Sequence, residues 1–357
     1  MTTLSKRYEI DKKAWDDCAE TYEKQIVGGH PDILAFENFE EDLLDYLIGY
    51  LAKKNNRHIR LMDIGCGSGR LHIRYGAKTS KTEKLPESHP LVDLKEENPV
   101  FEYDPLMKEY LDEVWGIDFS QNMINLAAEK LNKYGLGNYS SVKLSLEQGS
   151  AFDLKPHRDN TLPIAICLVN SIGVMQGYEG AKQLFKAMRR VVERAKGIAI
   201  VSCYQREYIA SYGLGQYEST MDVSGQPQWL VPDTYASGEY VQVPKDYKLA
   251  HSKEDKIIVD VYDSNGKCIK EDHVLERDPV ITRQVIDTGN ILTHSDYRSH
   301  WYSFKEIHDL VKEHWNDGEA YHVPTEFIDM QRAEPAQMAI LDYGNNLDKY
   351  LFDRWKL

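Results

Sequence analysis

The densest chemical signal in the chain is the run Leu61-Met62-Asp63-Ile64-Gly65-Cys66-Gly67-Ser68-Gly69-Arg70. Glycines placed where a strand turns into a helix let the backbone come close to a ligand and allow positive φ. Alone, the motif is a tight glycine turn or a nucleotide-binding loop. A dinucleotide site asks for G-x-G-x-x-G, whereas the spacing here is G-x-G-x-G and Arg70 follows Gly69. Asp63, just ahead of the glycines, would repel a pyrophosphate and suits a ligand that carries positive charge. A nicotinamide dinucleotide is therefore the poorest fit to this loop.

A second acidic residue completes the pattern, in Val114-Trp115-Gly116-Ile117-Asp118-Phe119-Ser120. A carboxylate at the end of a second strand can accept both hydroxyls of a ribose. Its distance from the glycines exceeds the spacing of about 20 residues in a dinucleotide site. Residues 75–112, rich in Lys, Glu and Pro without periodicity, account for the excess as an inserted loop, mobile until ligand binds. Taken alone, Asp118 could simply be an acidic residue at a helix N-terminus; after a glycine loop the ribose role is the stronger reading.

The elements that must hold these residues follow from periodicity. Leu43, Leu44, Leu47, Ile48 and Leu51 fall at helical spacing, and Ile59–Ile64 reads as a strand entering the glycines. Strand character returns at Glu113–Ile117. Ser120 then caps a helix that buries Met123, Ile124, Ala127, Ala128 and Leu131. A third strand is expected at Val142–Leu146. A fourth, Leu162–Val169, is apolar throughout, as in a strand covered on both faces. Helix Tyr178–Ala195, closed by Gly197, leads to strand Ile198–Cys203, and this alternation predicts a mostly parallel sheet. Beyond Tyr204 the pattern shortens to Ile257–Tyr262, Val280–Ile286 and Ile291–Thr293, with Asp263-Ser264-Asn265-Gly266 as a hairpin turn, so an antiparallel insertion is expected. Trp301–Trp315 is again helical and Ala336–Tyr343 is a final strand.

Over roughly residues 58–204 the chain resembles the class I S-adenosylmethionine (SAM)-dependent methyltransferases. The resemblance rests on the glycine loop and on Gly116-Ile117-Asp118-Phe119-Ser120-Gln121-Asn122-Met123. It implies an α/β fold, a Rossmann-like sheet with flanking helices and an antiparallel β-rich insertion as substrate lid. The implied division is an N-terminal helical lid (1–57), a SAM-binding core (58–204, with the loop 75–112), a substrate-binding insertion (205–300) and a C-terminal completion of the core (301–357). By the same resemblance Gly65, Cys66 and Gly67 wrap the methionine part of SAM near Asp63, Asp118 holds the ribose and Phe119 lies against the adenine. In Ser150-Ala151-Phe152 the family's usual acidic residue is replaced by Ser150, leaving Ser150 or Asp153 for the adenine edge. Leu168, Val169 and Asn170 would pass the methyl group, and Tyr22 would cap the SAM end, with Trp15 packing in the core. The stretch Ile166–Ser171 is similar to small-molecule N-methyltransferases of the glycine and sarcosine type.

Methyl transfer needs alignment and exclusion of water more than a reactive side chain, so the lack of a triad is no objection. A base is required only where the acceptor must lose a proton. The candidates are His300, with His294 and Asp296 near it, and Tyr204 at the mouth of the fifth strand; Asn170 is the third expected catalytic residue. Tyr217, Trp229, Tyr235, Tyr240, Tyr297 and Trp301 could enclose a methylammonium by cation–π contact or could be ordinary lid core. No spacing demands a metal.

Composition bounds the partners. A net charge of -14 disfavours nucleic acid and fits a cationic or zwitterionic small molecule, hence an amine nitrogen ahead of oxygen. The longest apolar runs are too short for a bilayer, the N-terminus lacks a secretory layout, and the five scattered cysteines suit reduced thiols. A cytoplasmic enzyme with no membrane partner is expected, its oligomeric state open. The alternatives are a nucleic-acid methyltransferase and a non-catalytic SAM-binding subunit.

Overall fold

Side-chain alternation along the strands decides the layering. In β1 (Ile59–Ile64), Ile59 and Leu61 enter one core while Met62 and Ile64 enter the other. In β4 (Ile164–Cys167), Ile164 and Ile166 divide in the same way from Ala165 and Cys167. In β5 (Ile198–Tyr204), Ile198 and Ile200 divide from Ala199, Val201 and Cys203. A period of two on strands buried on both faces forces a three-layer arrangement. The first core holds α1 (Pro31–Asn55) through Leu44, Leu47, Ile48 and Leu51, and α2 (Arg70–Thr79) through Leu71 and Tyr75.

The computed structural model describes residues 12, 13, 15, 16, 19, 31–154, 159–204, 228–230, 240–242, 256–262, 268–276, 280–287, 290–298, 302, 304–315, 318–323, 336–344, 347 and 356. One sheet has the order β12-β13-β5-β4-β1-β2-β3. Strands β1 to β5, including β2 (Leu111–Asp118) and β3 (Lys143–Gln148), pair in parallel, and β13 (Ala336–Asp342) runs antiparallel to β5. Strand β12 (Glu319–Val323), which has no clear signal in the sequence, pairs antiparallel with β13.

The segment 75–112 corrects an expectation. It is helical in α3 (Pro90–Glu97) and α4 (Pro105–Tyr110), and α2 itself reaches Thr79. Pro90, Pro99 and Pro105 each occupy a helix start, where the missing N–H has no partner to lose. The His89 ring accepts from Leu91 N at 3.2 Å, and Asp104 accepts from Leu106 N at 2.9 Å and Met107 N at 3.1 Å. Leu91 packs with Ile73, Ala77 and Leu136 in a satellite core on α2. Strand β2 accordingly begins at Leu111 rather than Glu113.

The expected antiparallel insertion is a six-stranded sheet of order β11-β10-β6-β7-β8-β9. Its strands are β6 (Gln228–Leu230), β7 (Tyr240–Gln242), β8 (Lys256–Tyr262), β9 (Cys268–Glu276), β10 (Val280–Asp287) and β11 (Asn290–Arg298). Tyr262 pairs with Cys268, which brackets the expected turn; residues 263–267 lie outside the described set. On the second face of the first sheet pack α5 (Gly177–Val191) and α6 (Phe304–His314). Among the described residues no helix is long and apolar enough to cross a membrane.

Candidate active site

Strand β1 delivers the glycine loop to the carboxyl edge of the sheet. Gly65, Gly67 and Gly69 all have positive φ, at 78°, 52° and 83°. Gly65 and Cys66 donate to the Ile117 carbonyl at 2.8 and 3.1 Å, which ties the loop to β2. A side chain at Gly65 would collide with Ser171, 2.9 Å from its Cβ position. At Gly67 the equivalent direction is open for 4 Å, so bare backbone faces free space there. Gly116 is needed for a different reason: a Cβ there would lie 2.4 Å from His72 Cε1 and 2.7 Å from Cys66 Sγ.

Three buried carboxylates surround this loop. Asp118, ending β2, accepts from Gly67 N at 2.9 Å and from Ser120 N at 2.8 Å. Burial raises its pKa to about 6 against those hydrogen bonds. Asp63, 6% exposed, accepts no hydrogen bond among the described residues. Burial raises it to about 7, Arg70 opposes the shift, and Asp118 and Glu40 add to it. Glu40 reaches in from α1, and burial raises its pKa too, opposed chiefly by Arg70. Arg70 spans Glu40 at 2.9 Å and Glu41 at 3.0 Å. A buried carboxylate without a donor is costly unless a cation joins it. Asp63, two residues before the glycine loop, is therefore a residue that could take a positively charged ligand group.

The opposite wall is the turn after β4. Val169 and Asn170 have φ of 49° and 57°, and Ser171 Oγ donates to the Gly65 carbonyl at 3.4 Å. Asn170 is buried and opens a 3₁₀ turn, Ser171–Val174. Leu168 is buried in the first core. After β3, Ser150 Oγ accepts from Phe152 N at 3.2 Å, so part of its capacity is spent within its own turn. Ala151 and Phe152 pack against the second core. Farther out, Asp16 of the N-terminal segment accepts from Ser120 Oγ at 2.6 Å and Asn122 N at 3.3 Å. This sets that segment beside Asp118.

Residues 101–201 match the family model for a methyltransferase domain. The matched stretch runs through β2, β3 and β4 into β5, so the likeness to a methyltransferase domain falls on the sheet that carries the glycine loop. No curated protein sequence matches the chain. Among solved structures it is similar to a SAM-dependent methyltransferase from Clostridium acetobutylicum, at 14% identity and a TM-score of 0.47 over 93% of this chain and 99% of that one. It is also similar to the CcbJ methyltransferase from Streptomyces caelestis, at 13% and 0.48 over 94% and 99%. For DesVI from Streptomyces venezuelae the values are 11% and 0.44 over 86% and 92%.

SAM is the cofactor of such a domain, and the residues present suit it. Asp63 could take its ammonium, the bare backbone at Gly67 leaves room for its chain, and Asp118 keeps lone pairs for a ribose. The fold thus brings Asp63, Gly65, Cys66, Gly67, Asp118, Phe119, Ser150, Leu168 and Asn170 to one edge of the sheet. Cys66 is held as a neutral thiol, pushed well up by burial and the neighbouring carboxylates. Tyr204 ends β5 opposite Ala336, with only its backbone described. Tyr22 and His300 lie outside the described residues, as do Tyr217, Tyr235 and Trp301. Glu40, the partners of Arg70 and the left-handed Val169 were not anticipated. The available signal was the acidic spacing Glu41-x-x-x-Asp45 facing the basic spacing Arg70-x-x-x-Arg74-x-x-x-Lys78. Among the described residues no cluster of His, Cys, Asp or Glu could hold a metal.

Proposed function

We propose that this methyltransferase transfers the methyl group of SAM to a small-molecule acceptor, with an amine nitrogen favoured over oxygen. The observation that carries the reading is the buried Asp63 beside Asp118 and Glu40, which has no hydrogen-bond donor among the described residues and would be stabilised in its charged form by a cation. In this reading Asp63 holds the ammonium of SAM, Gly65 to Gly67 pass its methionine chain, Asp118 binds the ribose, and the Leu168–Asn170 turn flanks the methyl group. SAM supplies the activated methyl; the chain orients it, keeps water out and, for an amine, needs no strong base. A net charge of -14 adds a mild preference for cationic or zwitterionic acceptors. The basic cleft formed by Lys186, Arg189, Arg190 and Arg194 lies beside Asp159 and Asn160, before β4, and so at the edge away from Gly65. That placement disfavours a polyanionic substrate. Metabolite pools incubated with enzyme and isotope-labelled SAM should show label in small amines by mass spectrometry, lost with Asp63→Ala. Label confined to nucleic acid would overturn the proposal.

A further inference from the structure

Val169 is a β-branched residue in left-handed backbone, φ 49°, followed by Asn170 at φ 57°. Such a step persists only where its surroundings over-determine it. Here the constraint is visible. Val169 N–H donates to Glu40 Oε1 at 3.1 Å and to Ser202 Oγ at 3.0 Å. The Ser202 hydroxyl in turn donates to the same Glu40 oxygen, and the Glu40 side chain is wholly buried. We propose that Glu40 is a positioning residue: from α1 it fixes the Val169–Asn170 step that forms the wall of the cleft facing the glycine loop. The link to cofactor binding rests on the methyltransferase reading; the link to Val169 does not.

The obvious rival role is a plain ion pair with Arg70. Arg70, however, keeps Glu41 at 3.0 Å, and Arg74 holds α2 to α1 through Glu41 at 2.6 Å and Asp45 at 2.7 Å. Lys78 adds a further contact to Asp45. The helices therefore stay joined without Glu40, whereas Val169 N–H would be left with Ser202 alone. Two substitutions separate the roles. Glu40→Gln keeps an oxygen for Val169 and loses the charge that faces Arg70; Glu40→Ala loses both.

The test is hydrogen exchange at the Val169 amide by NMR, alongside SAM affinity by calorimetry on the full chain. In Glu40→Ala, exchange at Val169 should be about ten-fold faster and SAM binding about ten-fold weaker, while Glu40→Gln stays within about three-fold of wild type in both. Equal losses in Gln and Ala would reduce Glu40 to an ion-pair partner and overturn the proposal, as would unchanged exchange in Ala. Should Glu40→Ala fail to fold, Ser202→Ala removes one acceptor without touching Arg70. Exchange at Val169 should then stay within about three-fold of wild type, because Glu40 still accepts its N–H, and a ten-fold rise would overturn the proposal by assigning the step to Ser202. Wild-type protein that bound no SAM would defeat the methyltransferase reading, yet the exchange comparison would still decide the role of Glu40.

Discussion

The two walls of the cofactor cleft solve one backbone problem in different ways. Both reverse the chain at the carboxyl edge of adjacent strands, and both use left-handed φ. The wall after β1 does so with Gly65, Gly67 and Gly69, for which that conformation costs little. The wall after β4 does so with Val169 and Asn170, and holds the strained step with side chains from α1 and β5. One wall is set by its own sequence and the other by distant contacts, so they should respond to opposite substitutions.

The largest expected effect is at the first wall. Gly67→Val adds a left-handed penalty of about 1–2 kcal/mol and fills the open space beside the backbone, so SAM binding should disappear in calorimetry while the protein remains folded. Retained binding would mean that the ligand does not pass Gly67. Next comes Asp118→Ala, which removes a charged acceptor and should weaken SAM by about 1.5–3 kcal/mol. An unchanged affinity would remove Asp118 from the site.

A third effect follows from the pKa of Asp63, raised by burial to about 7 from an ordinary value of 3.8. Between those values Asp63 holds more proton in the folded protein than in the unfolded chain. Its contribution to the stability of the free protein should therefore fall as pH rises from about 4 to about 7, while His72 and His322, both lowered by burial to about 4, contribute with the opposite sign. A ligand cation favours the ionised carboxylate, so SAM affinity should rise over the same window, most steeply near pH 7. Asp63→Asn should stabilise the free protein at neutral pH and remove the share of both profiles that Asp63 contributes, leaving those of Asp118 and Glu40. Denaturant melts and titrations at several pH values check this; a difference between wild type and Asp63→Asn that stays constant from pH 5 to 8 would contradict it.

The smallest effect belongs to the second wall. Val169→Gly relieves a strained step worth about 1–3 kcal/mol and gives most of that back in chain entropy and lost packing. The net change in stability should be below about 1 kcal/mol, although Val169 is partly buried against the first core. A loss of several kcal/mol would show that the backbone there is not strained.

The same contrast explains what could be read from the sequence. The glycine loop, Asp63 and Asp118 were legible because glycine spacing and strand-end carboxylates are local signals. The apolar run Leu162–Val169, expected as a strand covered on both faces, contains β4 at Ile164–Cys167, and the strand expected at Ile198–Cys203 is β5. Residues 75–112 misled because Pro90 and Pro105 interrupt periodicity, although each only opens a short helix after a capping residue. Nothing local marks Glu40 as a partner of Val169 and Ser202, far from it in sequence but adjacent in the fold. Left-handed φ at a valine likewise has no compositional signature.

A cleft suited to the cation of SAM and not to a pyrophosphate should separate the two ligands by affinity. Calorimetric titration of the full chain with SAM, its demethylated product and NAD measures that separation. Both SAM and the product, which carry the ammonium, should bind far more tightly than NAD. Tighter binding of NAD would rule out Asp63 as a cation site.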